Sequence, residues 1–193
     1  MADKKLPSTF ANMVIVLTSI SVVSALALAF TYSATKDAIA QVGVKRTLKA
    51  LQQVLPEFNN DPTGEKYTVE EPEFKDMELY PARKDDQPVG TAVQTYSDNG
   101  YGGRILLMVG FDNAAKIIGI SVLKQTETPG LGNKMVASTF KDQFKGKDPS
   151  VFKMMVRKDG GEVDAISAAT ISSRAFCDAV DRAYRALLKG GRK

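Results

Sequence analysis

Residues 11–32 form a predominantly apolar run of 22 without a charge, rich in Val, Leu, Ile and Ala. A run of that length can cross a bilayer as one helix. From 33 to 58 the pattern becomes amphipathic: Ile39, Val42, Leu48, Leu51, Val54 and Leu55 recur at helical steps, with Lys and Gln between them. This predicts a helical stalk continuing the membrane helix, weakened at Gly43 and closed by Pro56. Asn59-Asn60-Asp61-Pro62-Thr63-Gly64 is a cluster of turn formers and marks a boundary. The predicted organisation is a short tail (1–10), a transmembrane helix (11–32), a helical stalk (33–58) and a folded domain (59–193).

Within the domain, 65–76 is acidic and irregular, and Met77-Glu78-Leu79-Tyr80 suits a first strand. Three runs rich in β-formers follow, 89–96, 104–111 and 117–123, joined by the turn-forming segments 97–103 and 112–116, which predicts an antiparallel meander. A helix is expected over 133–144 and a short strand over 163–166. The last element is an amphipathic helix over 172–188. Phe176, Val180, Ala183, Tyr184, Leu187 and Leu188 form its apolar stripe, and Arg174, Asp178, Asp181, Arg182 and Arg185 fall between them. The fold class is therefore α+β: an antiparallel sheet with flanking helices, on a single N-terminal transmembrane helix.

Composition narrows the chemistry. The 193 residues carry a mild net charge of +4, with acidic and basic residues interspersed, which argues against nucleic-acid binding. The chain has no histidine and a single cysteine, so a histidine base, a zinc set, a CxxC pair and an internal disulfide are all excluded. Cys177 follows the stripe residue Phe176 and reads as small helix filler.

The apolar run has a competing reading as a cleaved signal peptide, since Lys4 and Lys5 precede it and small residues lie near Ala27. Its length and the lack of a cleavage site after Tyr32 favour an uncleaved anchor. Lys36, Lys45, Arg46 and Lys49 follow the run, so a plain count of Lys and Arg would leave the domain in the cytoplasm.

Three stretches carry candidate chemistry. In Asp164-Ala165-Ile166-Ser167-Ala168-Ala169-Thr170-Ile171-Ser172-Ser173-Arg174 the hydroxyls gather where a strand turns into a helix, and there free amides and the helix dipole favour an anion such as phosphate. The alternative is ordinary N-capping by Ser172 or Thr170. In Gly100-Tyr101-Gly102-Gly103 the glycines would let backbone approach a flat ring, or serve a turn alone. In Glu127-Thr128-Pro129-Gly130-Leu131-Gly132 the Pro-Gly pair forces a turn, Gly132 allows a second unusual backbone angle, and Leu131 is displayed between them.

Together these stretches resemble a family that carries FMN esterified through its phosphate to a threonine. The first is similar to its Asp-x-x-Ser/Thr-Gly-Ala-Thr signature, with Thr170 as the acceptor and Ala168 where glycine is usual, at a turn where a positive φ is expected. The second resembles its Gly-Tyr-x-Gly stretch, and the third its Glu-Thr-Pro-Gly-Leu-Gly signature. The family includes the G subunit of the Rnf complex and the C subunit of the sodium-translocating NADH:quinone reductase. The short length and compact tail look more like the former. Many Rnf sequences carry a histidine ahead of the Glu-Thr-Pro run, where this chain has Gln125.

The resemblance implies FMN linked by a phosphoester to Thr170. The expected site comprises Asp164, Ser167, Ala168, Ala169, Thr170, Tyr101, Glu127, Thr128, Gly130, Leu131 and Gly132. Met108 and Met135 are further candidates to touch the ring, with Lys134 as a polar neighbour. It implies a redox subunit of an ion-translocating ferredoxin:NAD oxidoreductase, with the other Rnf subunits and a maturing flavin transferase as partners. The site would have no catalytic acid or base and no metal. The family's flavin domain lies outside the cytoplasmic membrane, against the charge count. No dinucleotide fingerprint or iron-sulfur cysteine set is present, so neither ferredoxin nor NAD is expected to bind here. Two other readings stand beside it: a different flavinylated extracytoplasmic carrier, and a non-redox assembly or sensor module.

Overall fold

The computed structural model describes residues 7, 9–74 and 76–190, so Lys4 and Lys5 of the N-terminal tail lie outside the described residues. The chain divides into two units, Met1–Lys45 and Arg46–Lys193. One helix, α1 (Phe10–Val54), supplies nearly all the described structure of the first and opens the second.

In the first unit the candidate membrane span is Phe10–Lys36, 27 residues with a mean hydropathy of 2.5 and no burial within the protein. At 1.5 Å per residue this exceeds the roughly 30 Å of a hydrocarbon core. Three of its hydroxyls bond back to the helix. Ser21 donates to the Leu17 carbonyl, Thr31 to Ala27 and Thr35 to Thr31, each at 2.7–2.8 Å. Such back-bonding is what a polar side chain in lipid requires.

The second unit is built on a five-stranded antiparallel sheet, β1 (Tyr67–Thr68), β2 (Glu78–Lys84), β3 (Gln87–Ser97), β4 (Ile105–Phe111) and β5 (Ile117–Lys124), in sequential order. The strand expected at 77–80 is found as β2, longer than expected and paired with β3, and β1 is an edge strand added to the four expected. The β2–β3 hairpin closes through Asp85 and Asp86, both at positive φ (52° and 61°), as a two-residue turn requires. Alternation along the strands sends side chains to two cores. Leu79, Val93, Leu107 and Val109 join the larger one under α3 (Thr170–Gly190). Tyr80, Ala92 and Met108 face the other way, onto Ala50, Leu51, Val54 and Leu55. The residues expected at the end of the stalk are thus part of the folded unit, and the last turns of α1 there pack on the sheet. A Cβ at Gly110 would overlap the Val54 carbonyl oxygen, so only glycine fits there.

Three predicted elements differ. The helix over 133–144 is broken into a 3-10 turn (Gly132–Val136), a single turn α2 (Ser138–Lys141) and a second 3-10 turn (Asp142–Phe144). Met135, Phe140 and Phe144 are all buried. The first two are five residues apart and cannot share one helical face, so extended backbone at Ala137 turns both inward. The strand over 163–166 is only an isolated bridge from Val163 to Val156. The Gln143 amide takes the place of a neighbouring strand, accepting from the Asp164 N–H at 2.8 Å and donating to its carbonyl at 3.2 Å. Helix α3 starts at Thr170, two residues early, and Leu188, expected in its stripe, is 47% exposed. Its buried face is Ala175, Phe176, Ala179, Val180, Ala183 and Ala186. The ring of Phe176 meets Phe140 and Phe144 at centroid distances of 5.1 and 5.3 Å. Cys177 is buried there, and burial pushes its thiol up to about 12, so it is an inert packing group.

Candidate functional site

The start of α3 is fixed by Ser173. Its hydroxyl oxygen accepts from the Ile166 N–H at 2.9 Å and donates to the Ala169 carbonyl at 3.0 Å, and its own N–H makes the first helical bond, to Ala169. Capping by Ser172 or Thr170 is thereby corrected. Thr170 is the first helical residue, and Ser172 donates its hydroxyl to Glu127 Oε2 at 2.6 Å. Among the described residues, Thr170 Oγ1 makes no hydrogen bond. The N–H groups of Thr170, Ile171 and Ser172 have no backbone acceptor there either. With no acidic residue in the first turn, this end of the helix offers free donors and the positive end of the dipole beside a free hydroxyl.

Ala168, just before it, has φ 59°. The left-handed region costs a residue with a Cβ roughly 1–2 kcal/mol. Ala168→Gly relieves that cost and gives back part of it through chain entropy. The expected net gain is about 0.5–1 kcal/mol, read as a higher midpoint of chemical denaturation followed by circular dichroism.

The second wall is the loop after β5. Thr128, Pro129, Gly130 and Leu131 form a turn closed by the Leu131 N–H on the Thr128 carbonyl at 3.1 Å, with Gly130 at φ 78° as a type II turn requires. Gly132, expected to supply another unusual angle, has no positive φ. It is small for a different reason: a Cβ there would collide with Ser172 Oγ and lie 2.6 Å from Glu127 Oε2. Gly132→Ala should therefore push the loop off α3. The expected cost is about 2 kcal/mol, with less FMN retained; an unchanged melting temperature would refute the crowding.

Glu127 joins the walls. It is only 6% exposed; besides Ser172 it accepts the Gly102 N–H at 3.1 Å through Oε1. Thr126 donates its hydroxyl to the Gly102 carbonyl at 2.6 Å, so the glycine loop is held at both the N–H and the carbonyl of one residue. Tyr101, at the tip of that loop, is 73% exposed.

These segments enclose a cavity of about 600 Å³ lined by Tyr101, Glu127, Thr128, Leu131, Gly132 and the run from Ala168 through Ala169, Thr170 and Ile171 to Ser172. Most of the expected residues therefore meet at one place. Gly130 shapes the turn without lining the cavity, and neither Ser167 nor Asp164 lines it. Asp164 pairs with Arg157 at 2.6 Å in solvent, and Arg174 forks onto Asp159, whose carboxyl that guanidinium holds below its usual range. Met108 is corrected, since it faces the core on the opposite side of the sheet, and Met135 is fully buried beneath the loop. Lys134 is exposed outside the cavity. Ile171 was missed. It is an apolar residue off the buried stripe of α3, left 48% exposed at the rim, and that misfit was its signal.

The donor set suits FMN: unclaimed amides for a phosphate, a free hydroxyl beside them, and an uncharged rim of Tyr101, Leu131 and Ile171 for a flat ring. Residues 100–185, which contain all three segments, match the family described as FMN-binding domain. The G subunit of the ion-translocating oxidoreductase complex of Vibrio cholerae serotype O1 is 35% identical over 179 residues, covering 88% of this chain and 86% of the relative. Its counterpart in Erwinia tasmaniensis is 38% identical over 151 residues, covering 74% and 72%. The crystal structure of the C subunit of the Na(+)-translocating NADH-quinone reductase from Parabacteroides distasonis superimposes with a TM-score of 0.50 at 25% identity. It covers 61% of this chain and 63%, less than two thirds, of that one. An extended match to the same subunit from several bacteria, joined to an FMN-binding domain, places this chain in the G-subunit family of ion-translocating oxidoreductase complexes.

Proposed function

We propose that the chain carries FMN joined through its phosphate to Thr170 and relays electrons within an ion-translocating oxidoreductase complex, tethered by α1 as a single-pass membrane helix. The observation that supports this most directly is the free hydroxyl of Thr170 at the open start of α3, while the hydroxyls of Ser172 and Ser173 are held within the fold. When bound, the isoalloxazine supplies the electron chemistry. The chain's residues do the rest. The first-turn amides of α3 hold the phosphate, Gly132 gives room, Leu131, Ile171 and Tyr101 bound the ring, and Glu127 ties the glycine loop to the helix. A phosphoester prevents loss of the cofactor from a shallow site, which suits a carrier between fixed partners. Those partners are the other subunits of the complex, and a flavin transferase supplies the linkage. The intact mass of the purified chain, taken with its visible spectrum, tests the reading: it requires one FMN per chain that survives denaturation.

The folded unit is further proposed to face away from the cytoplasm, as the flavin domains of the family it resembles do. Protease added to spheroplasts should digest it, leaving a fragment that contains residues 10–36. Protection until the membrane is lysed would reverse the orientation without touching the flavin assignment.

A further inference from the structure

The cations after the membrane span are unexplained by the flavin site, and they run against the usual distribution of Lys and Arg for an extracytoplasmic domain. Two of them, Arg46 and Lys49, converge with Lys124 of β5 on a groove of about 500 Å³ in the folded unit, remote in sequence from the residues around Thr170. No carboxylate lines it. Among the described residues none of the three cations is in an ion pair. Arg46 is held over the end of β5 by a bond to the Leu123 carbonyl at 3.4 Å. Ser121 donates to Gln53 Oε1 at 3.0 Å, which leaves the Gln53 amide hydrogens free as further donors. Val136 adds an apolar rim, 49% exposed.

We propose that this groove binds the phosphate of an anionic phospholipid headgroup. Unpaired guanidinium and ammonium groups in a concave, carboxylate-free setting select an anion, and charge complementarity favours phosphate among the anions of a membrane. The tether favours lipid over a free solute. Arg46 follows Lys36, the end of the candidate span, by ten residues, a reach of at most about 36 Å even for an extended chain. The groove is therefore never far from a bilayer surface, where headgroups are abundant. The proposal rests on α1 spanning the membrane and is independent of the flavin.

The test uses the full chain in neutral detergent, with native mass spectrometry following the binding of phosphatidylglycerol, phosphatidylcholine and inorganic phosphate. Wild type is expected to prefer phosphatidylglycerol. Lys49→Gln and Lys124→Gln should each weaken that preference about fivefold, and the triple variant R46Q/K49Q/K124Q should abolish it. Lys36→Gln, outside the groove, should leave it nearly intact. All these side chains are exposed or at a groove edge, so circular dichroism should match wild type; the single variants keep the test alive if the triple does not fold. Equal binding of the two lipids, or a triple variant with wild-type preference, overturns the proposal. Inorganic phosphate displacing the lipid at equal concentration would make this a free-anion site instead. A triple variant that keeps its lipid preference but loses co-purifying subunits would make it a protein interface. Extraction of wild type by alkaline carbonate would refute the membrane anchor separately.

Discussion

Thr170→Ala is expected to remove all covalent FMN while leaving the stability of the folded unit within about 0.5 kcal/mol of wild type. The second half of that expectation comes from the structure. Thr170 makes no side-chain hydrogen bond among the described residues, and α3 is initiated by Ser173, so deleting the Thr170 hydroxyl strands no partner. Alanine is also the better helix former at a first-turn position. Ser173→Ala should do the reverse, costing about 1–2 kcal/mol through two lost bonds at the helix start while the acceptor hydroxyl stays in place. Thr170→Ser retains a hydroxyl at nearly the same point and should retain some attachment. The readouts are ultraviolet fluorescence of the band on a denaturing gel and a thermal melt of each variant. A Thr170→Ala chain that folds and still fluoresces would move the linkage elsewhere, and Ser167, exposed and outside the cavity, would be the next residue to test.

The division between what the chain shows in sequence and what only folding reveals follows the range of the interactions. Strands β3 to β5 are legible because each is a local run of β-formers bounded by turn residues. The β2–β3 hairpin is not, because two aspartates occupy a turn usually announced by Asn-Gly or Asp-Gly. The break inside 133–144 is invisible to a helical reading because it is imposed by the core, where Met135 and Phe140 must both go inward. A helix start with gathered hydroxyls is legible because it is contiguous, whereas the choice of Thr170 among them and the positive φ at Ala168 come from the resemblance. The ring contacts could not be. Whether Met108 faces the site or the α1 side is decided by strand register, and one residue of slip reverses it. The Glu127–Ser172 contact joins positions 45 apart in the chain, and no local pattern connects them.

That contact yields the second large effect. Glu127→Ala removes a carboxylate, 6% exposed, that receives a buried hydroxyl and a loop amide. Hydrogen bonds to a charged group contribute about 1.5–3 kcal/mol each, and Ser172, 2% exposed, would be left without water or partner. Gly102 is exposed, so water can replace part of its loss. The expected destabilisation is about 3 kcal/mol, together with release of the Tyr101 loop and a fall in FMN attachment. Glu127→Gln separates geometry from charge. Its amide oxygen can still accept from Gly102, and its amide nitrogen can donate to Ser172 Oγ if that hydroxyl turns away. Stability should then stay within about 1 kcal/mol of wild type, and attachment should be largely restored. What glutamine cannot restore is the negative charge in the cavity wall. Reduction adds electron density to a bound flavin, so a neighbouring carboxylate disfavours it, and the Gln variant should titrate at a higher potential in a spectroelectrochemical cell. A Gln variant as unstable as the Ala variant would mean that the charge itself holds the loop. An unshifted potential with stability preserved would limit Glu127 to fastening the two walls of the site.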